Sequence, residues 1–239
     1  MKLSYSIAGL KVYMDSFGRT VQQAEPYRIN TEEIADIEVV SNWPDMKHFY
    51  QGLDDNTGEY MATCADFYKK LLNFDGFQFH SSAVVVNNRV YLFSANSGTG
   101  KSTHTELWLK LFGDKAYILN DDKPALRLED GMWYAYGTPW SGKNDISVNK
   151  RVPVAGIAML ERSENNEIYR FDGPEAIRQI LAQCNRPKAP EYRIKLMELL
   201  DKLMTTVPIW KLKCNMDPSA AIMSYEAMSG EKYKENEDV

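Results

Sequence analysis

Cysteine is scarce in this sequence of 239 residues, and the three cysteines, Cys64, Cys184 and Cys214, lie far apart. An odd and sparse set without CxxC spacing excludes a disulfide framework and a zinc ribbon. Free thiols of this kind are typical of a reducing compartment. We therefore expect a cytoplasmic protein.

Long apolar runs and an excess of basic charge are lacking as well. No stretch approaches the ~20 apolar residues of a membrane span, and the short N-terminal run, broken by serines and ended by Lys11, is a poor signal peptide. The net charge is −5, whereas nucleic-acid binders are usually basic. We expect neither a membrane nor a nucleic acid as a partner. The apolar content of 44% is that of a globular protein with a sizeable core.

The hydrophobic patterning predicts an α/β protein in two parts. Residues 1–75 form a small β-rich segment plus a helix, with strands at Leu3–Ile7, Leu10–Met14 and 34–40 and a helix at 59–72. Residues 16–18 are expected to form a turn.

Residues 76–239 have the pattern of a longer α/β core. Two strands, at 77–86 and 90–95, lead into a glycine-rich segment, which a helix at 100–112 and a strand at 116–119 follow. The later elements are strands at 126–128, 133–136, 154–161 and 209–212, and helices at 174–184, 191–207 and 218–228. Because no linker or repeat separates the two parts, the boundary near residue 75 rests on the change of pattern alone.

The glycine-rich segment, residues 95–102, reads ANSGTGKS and matches the phosphate-loop pattern GxxxxGK[ST], with Ala95 in place of the first glycine. Gly98 and Gly100 permit a tight turn whose N–H groups converge, and the following helix adds its positive end. Lys101 would bind the β- and γ-phosphates. The predicted nucleotide-binding residues are Asn96, Ser97, Gly98, Thr99, Gly100, Lys101, Ser102 and Thr103. The alternative is a glycine-rich turn that binds nothing.

Two adjacent carboxylates, Asp121 and Asp122, follow the strand at 116–119 and begin 20 residues after Lys101. The carboxyl ends of strands are where open α/β sheets bind ligands. One carboxylate there can hold Mg²⁺, and the other can accept a proton from an attacking hydroxyl. A solvated Asp-Asp turn is the alternative.

His80 lies on the strand before the hairpin that leads into the loop, so the chain would return it close to the loop. A histidine beside an aspartate can orient it or share its proton. His48 is interpreted as a surface or packing residue, and His104, on the helix after Lys101, could face either way.

Together, His80, the loop and the Asp121–Asp122 pair resemble the catalytic core of bacterial HPr kinase/phosphorylase and, more distantly, ATP-dependent phosphoenolpyruvate carboxykinase. The closest resemblance, over residues 77–161, is to small HPr-kinase-like proteins found with peptide-modification genes. It implies a P-loop kinase core of the HPr-kinase C-terminal-domain type, which uses ATP and Mg²⁺. HPr kinases usually have Glu where Thr103 stands, and the chain is too short for a carboxykinase.

The resemblance also implies residue roles. Lys101, His80 and Asp121 match catalytic positions, with His80 assisting Asp121 as acid and base. Ser102 and Asp122 match the metal-binding positions, so the sequence pairs the serine of the loop with the second aspartate.

Residues 137–143, GTPWSGK, look like a block of the same small relatives. The functional interpretation is a lid or substrate loop in which Trp140 takes part, Gly142 is the pivot and Lys143 stabilises charge on the transferring phosphate. The alternative is a simple turn with a packed Trp140.

These observations predict a kinase that moves the γ-phosphate of ATP to a hydroxyl, with a serine of a peptide or small protein as the expected acceptor. Two alternatives stay open: a small-molecule kinase on the same core, and a non-catalytic ATP-binding module that regulates a partner. The sequence also leaves a homo-oligomer open.

Overall fold

The computed structural model describes residues 3–31, 33–50 and 52–234. Its N-terminal part consists of four short strands and three helices, namely β1 (Leu3–Ile7), β2 (Leu10–Met14), α1 (Gly18–Ala24), β3 (Arg28–Ile29), β4 (Ile37–Val39), α2 (Trp43–Met46) and α3 (Asp55–Leu71). The strands form one sheet in the order β3-β1-β2-β4. The predicted β-rich segment with a helix is therefore confirmed.

Helix α3 covers this sheet and shows how the sequence sets its bounds. The Asp54 side chain accepts a hydrogen bond from the Thr57 N–H at 3.0 Å, so the helix begins at Asp55, earlier than the hydrophobic pattern predicted. Its buried face includes Tyr60 and Phe67. The predicted turn at residues 16–18 was wrong in part, because Gly18 begins the short helix α1.

The second part is a larger mixed sheet with helices on both faces. Its elements are β5 (Gly76–Gln78), β6 (Ser82–Val86), β7 (Arg89–Ser94), α4 (Lys101–Phe112), β8 (Ala116–Asn120), β9 (Ala125–Glu129), β10 (Met132–Tyr136), β11 (Arg151–Arg162), β12 (Glu167–Arg170), α5 (Gly173–Ala182), α6 (Pro190–Thr206), β13 (Ile209–Cys214) and α7 (Ser219–Ser229). Every residue of β6 is buried, as expected for an interior strand with helices on both sides.

Strand order brings the predicted site together. The sheet runs β5-β9-β10-β11-β7-β6-β8, with β13 beside β11 and β12 beside β13. Because β6 is antiparallel to both β7 and β8, those two strands run in the same direction. The glycine-rich segment after β7, the aspartates after β8 and the chain entering β6 therefore meet at one edge of the sheet.

The single strand predicted at 77–86 is two strands, β5 and β6. Between them the chain crosses this edge, and its backbone bonds to other segments: His80 N–H donates to the Gln183 carbonyl at 2.8 Å and Ser81 N–H to the Asp122 carbonyl at 3.2 Å. These long-range hydrogen bonds satisfy backbone groups that a continuous strand would have paired within the ladder.

The two parts share a hydrophobic cluster. Trp140, from the segment after β10, is fully buried there, and its ring stacks on that of Phe67 in α3 at a centroid distance of 4.8 Å. No helix within the described ranges is long and apolar enough to cross a bilayer.

His104 anchors the helix after the glycine-rich segment to the last helix of the chain. It is 2% exposed, and its Nε2 lies 3.1 Å from the Ser224 hydroxyl in α7. Burial lowers the pKa of His104 to about 4. The histidine is therefore neutral in the folded protein at neutral pH.

This burial predicts a pH-dependent stability. The unfolded state has the ordinary pKa of 6.5 and binds more protons than the folded state between 6.5 and about 4. The free energy of unfolding should therefore fall by about 3 kcal/mol as the pH falls through this window. Urea titrations at about pH 7 and pH 5, which cover part of this window, should show a fall of about 2 kcal/mol.

His104→Gln should lose most of this slope, whereas His48→Gln, a change at an exposed histidine, should keep it. An unchanged slope in the His104 variant would show that burial of this imidazole does not cause the pH dependence.

Candidate active site

The glycine-rich segment turns sharply between β7 and α4. Gly98 and Gly100 have φ angles of +80° and +120°, a region that favours glycine. The Thr99 N–H closes the turn on the Asn96 carbonyl at 3.2 Å. Gly100 precedes the first turn of α4 without a side-chain cap, so N–H donors at the positive end of the helix remain available to an anion.

Lys101 folds back over this loop. Its side chain is largely buried, and Nζ donates to the Ala95 carbonyl at 3.1 Å. Burial lowers the pKa of Lys101, while the charges of Asp122 and Asp121 act in the opposite direction. The structure thus places the Lys101 ammonium on the first carbonyl of the glycine-rich segment.

Arg162, at the end of β11, holds the outer side of the loop. Its Nε donates to the Thr99 carbonyl at 3.0 Å, and a terminal nitrogen donates to the Gly98 carbonyl. Because these carbonyls are tied on the outer side, the peptide groups of the turn are fixed in orientation. Sequence reasoning missed Arg162, which lies some sixty positions beyond the loop and belongs to no phosphate-binding motif.

Asp121 faces the serine of the loop. Both of its carboxylate oxygens lie 3.3 Å from the Ser102 hydroxyl, and Oδ1 also accepts from the Ser82 hydroxyl at 2.6 Å. The amide of Asn144 donates to Oδ2 at 3.2 Å. Ser82 and Asn144 belong to no recognised sequence motif. Their contact with Asp121 follows from the fold alone.

Asp122 points to the other side, toward His80 and Lys123. Its Oδ1 lies 3.3 Å from His80 Nε2, and its Oδ2 pairs with the Lys123 ammonium. Burial alone would raise the pKa of Asp122, but the hydrogen bond with His80 and the charge of Lys123 outweigh it and lower the pKa to about 2. Asp122 is therefore ionised at neutral pH.

The structure exchanges the partners that the sequence predicted for the two aspartates. Ser102 lies against Asp121 rather than Asp122, and His80 lies against Asp122 rather than Asp121. Both aspartates lie in the bend that follows β8, and their side chains leave this bend in different directions. The first aspartate after β8 therefore turns toward α4, and the second turns toward the crossing between β5 and β6.

The other ring nitrogen of His80 has a partner that the sequence did not predict. His80 Nδ1 lies 2.9 Å from Gln183 Oε1, just beyond the end of α5. The Gln183 amide nitrogen donates to Asn96 Oδ1 at 3.3 Å. A chain of hydrogen bonds thus joins the loop to Asp122 through Gln183 and His80.

The three candidate lid residues lie in different surroundings. Trp140 is buried against Phe67 and does not line the site, which corrects the interpretation of Trp140 as a lid residue, because its ring belongs to the core that the two parts share. Gly142 contacts Asp122, and Lys143 is exposed on the same loop. The remaining predicted residues of the phosphate loop, Ser97 and Thr103, are exposed.

Gly142 is held in place from the N-terminal part. Its carbonyl accepts a hydrogen bond from the Arg19 guanidinium in α1, and its N–H donates to the Tyr60 hydroxyl in α3 at 3.2 Å. The φ angle of Gly142 is +76°, and a Cβ there would lie 2.9 Å from the Cβ of Asp122. Only glycine fits between the two helices and the aspartate.

Gly142→Ala therefore tests this close approach, with Gly131→Ala as the matched control. Both glycines have positive φ, but a Cβ at Gly131 meets nothing within 4 Å. The control should lose about 1–2 kcal/mol of stability for the backbone conformation alone. Gly142→Ala should lose about 1–3 kcal/mol more, because the loop must move away from Asp122. Chemical denaturation measures both. Equal losses of stability in the two variants would show that the Asp122 side chain can move to accommodate a Cβ at position 142.

An open groove of about 590 Å³ adjoins the loop on the side of Asn96 and Thr99, between the end of β11 and α5. Among the described residues, no group of three or more His, Cys, Asp or Glu side chains is arranged to hold a metal ion. A cation at Ser102 and Asp121 would accordingly take its other ligands from water and from a bound phosphate, which is how proteins commonly hold Mg²⁺.

Comparison with solved structures gives a distant structural likeness. No protein-family model matches the chain, and no curated protein matches it. Among solved structures, the HPr(Ser) kinase/phosphatase from Coxiella burnetii is similar, with a TM-score of 0.38 and 13% sequence identity over 64% of this chain and 95% of that chain. At this level the likeness carries no argument about function, so the proposed function rests on the geometry of the site.

Proposed function

We propose that the chain is an ATP- and Mg²⁺-dependent phosphotransferase that moves the γ-phosphate to a hydroxyl. One observation carries the proposal: a phosphate loop, a serine–aspartate pair and a histidine–aspartate pair meet at one edge of the sheet. Phosphoryl transfer needs these three functions, which are a phosphate cradle, a metal position and a base.

The loop supplies the cradle. The free N–H groups at the start of α4 and the Lys101 ammonium favour an anion at the centre of the turn. The adjoining groove offers space for the rest of the nucleotide. These groups would hold the β- and γ-phosphates while the transferring phosphorus stays exposed toward the aspartates.

Ser102 and Asp121 are the residues that would hold Mg²⁺. A hydroxyl and a carboxylate are oxygen ligands of the kind that this hard cation prefers. When bound, Mg²⁺ neutralises charge on the phosphate oxygens. Ser82 and Asn144 orient the Asp121 carboxylate and fix its direction toward Ser102.

Asp122 and His80 supply the base. The acceptor oxygen forms a bond to the γ-phosphorus, the bond from that phosphorus to the β,γ-bridging oxygen breaks, and ADP leaves with the electron pair. The hydroxyl proton passes to the Asp122–His80 pair. Asp122, with a pKa near 2, is too weak a base to keep this proton alone. The neighbouring imidazole gives the pair its capacity to accept it.

The acceptor that we propose is a serine of a peptide or small protein. The Asp122 side chain is 22% exposed, and Lys143 lies exposed on the adjacent loop, so a chain in solution can reach the base. Lys143 would then stabilise charge on the transferring phosphate. The resemblance to small kinases found with peptide-modification genes supports the same class of acceptor. A regulatory ATP-binding module would have no use for the His80–Asp122 pair.

Nucleotide binding tests the cradle. Lys101→Met should weaken ATP binding at least tenfold, because a charge-assisted contact to phosphate is lost. Lys110→Met, at the exposed far end of the same helix, should change the affinity by less than about twofold. Isothermal titration calorimetry with ATP and Mg²⁺ measures both. Binding by Lys101→Met at the affinity of the parent chain would refute the phosphate loop.

Substitutions of the two aspartates should affect different steps of the proposed reaction. Asp122→Asn should lower the transfer of labelled γ-phosphate to serine peptides by about 100-fold or more, with ATP affinity nearly unchanged. Asp121→Asn should raise the Mg²⁺ concentration for half-maximal rate about tenfold. If Asp121→Asn instead lowers the transfer rate and Asp122→Asn instead changes the Mg²⁺ requirement, Asp121 is the base. Normal transfer by both variants would refute the mechanism even if ATP binds.

A further inference from the structure

Lys211 is a buried cation that none of the roles assigned above uses. It lies on β13, is 6% exposed, and lines the groove that adjoins the phosphate loop. Its Nζ lies 2.9 Å from Glu161 Oε2 and donates to Gln179 Oε1 at 3.3 Å. The same nitrogen lies over the Phe171 ring, 5.5 Å from the ring centroid. The ammonium is therefore directed at protein groups within the groove wall.

The register of the sheet places Glu161 above this lysine. Met159 in β11 is paired with Ser94 in β7 and with Lys211 in β13. Because side chains alternate along a strand, Glu161 lies on the same face as Met159 and two residues nearer the edge where the phosphate loop follows β7. The Glu161 side chain is 53% exposed and lines the groove. The buried lysine thus supports a carboxylate that is open to a ligand.

This ion pair leaves one carboxylate oxygen unused. Lys211 binds Oε2, and no donor in the described part of the chain reaches Oε1 of Glu161. The hydrogen bond with Lys211 lowers the pKa of Glu161, which is therefore ionised at neutral pH. An ionised carboxylate accepts hydrogen bonds and cannot donate them. It therefore selects a ligand group that carries O–H or N–H donors, and it repels phosphate.

Packing alone does not require such a pair. Apolar side chains of similar volume can replace a buried ion pair without loss of stability. A buried ammonium whose carboxylate partner is half exposed in a groove is therefore better explained by a ligand than by the core.

Strand order decides which part of a nucleotide would meet this carboxylate. The strand β8 lies on one side of β7, beyond β6, whereas β11 and β13 lie on the other side. The proposed metal and base positions are on the β8 side, so the γ-phosphate would lie there and the nucleoside would extend over β11. Arg162 donates to the carbonyls of Gly98 and Thr99 in the loop. Glu161 directly precedes Arg162, so it lies near the loop, where the ribose would follow the α-phosphate.

We propose that Glu161 accepts hydrogen bonds from the ribose hydroxyls of the nucleotide and that Lys211 is a positioning residue that holds this carboxylate on the groove wall. The inference rests on the proposed phosphotransferase function and specifies its donor as a ribonucleoside triphosphate. Carboxylates near strand ends hold ribose hydroxyls in dinucleotide-binding sheets by the same chemistry. A nucleotide without these hydroxyls would leave the Glu161 carboxylate unpaired.

Calorimetry with ATP and with 2′,3′-dideoxy-ATP, each with Mg²⁺, tests the contact without any phosphate acceptor. The parent chain should bind the dideoxy nucleotide about tenfold more weakly than ATP, because charge-assisted hydrogen bonds are lost. In Glu161→Gln the difference should fall to about threefold, since a neutral oxygen remains as acceptor. Lys211→Met, which leaves the carboxylate without its support, should lower the difference to about threefold as well.

A double variant removes the contact without leaving a buried ammonium unpaired. Glu161→Met/Lys211→Met should bind the two nucleotides within about twofold of each other. The two changes cancel in net charge, so inorganic triphosphate, which has no ribose, should bind this variant within about twofold of the parent affinity. Glu167→Met/Lys213→Met is the matched control, because it removes an ion pair between β12 and β13 outside the groove. It should keep the difference of about tenfold.

The possible results separate this inference from the proposed function. Equal binding of the two nucleotides by the parent chain would overturn the inference and leave the phosphotransferase intact. The same holds for a difference that persists undiminished in Glu161→Met/Lys211→Met. If the parent chain binds neither ATP nor inorganic triphosphate, the phosphate loop itself fails, and both proposals fail with it.

Discussion

The site depends on one geometric constraint, which is that β7 and β8 run in the same direction with the antiparallel strand β6 between them. This order brings the chain after β7, the chain after β8 and the chain before β6 to a common edge. No single segment carries all the groups of the candidate site. The phosphate loop, the aspartates and His80 become one site only because the hydrogen-bonded ladder of three strands fixes their separation.

Adjacent carboxylates would repel each other strongly if they shared one environment. Here the two side chains leave the bend after β8 in different directions, which separates them. Asp121 is surrounded by hydroxyl and amide donors, whereas Asp122 lies between an imidazole and an ammonium. The first environment suits a ligand for a cation and the second suits a shared proton. The chain carries a net charge of −5, so the nucleotide of the proposed function would be held by the N–H groups of the loop and by Lys101 rather than by the overall field.

Local pattern was sufficient to predict the α/β class, the β-rich N-terminal segment, the turn after β7, helix α4 and the strand before the aspartates. It was insufficient wherever the answer depended on direction or on distant partners. The sequence could not show toward which side Asp121 and Asp122 point, since that follows from the register of β8. Gln183, Arg162 and Asn144 escaped notice because each reaches the site from a segment whose own composition is ordinary.

The placement of Gly142 has a consequence for how this fold can change. Its carbonyl and N–H are bound by α1 and α3, while its Cα lies against Asp122. Helices α1 and α3 of the N-terminal part thus hold the loop that lies beside Asp122. Recombination at the boundary between the two sheets would replace the helices that hold the Gly142 loop. The two parts are therefore expected to be inherited together. New specificities are expected to arise by changes within loops rather than by exchange of domains.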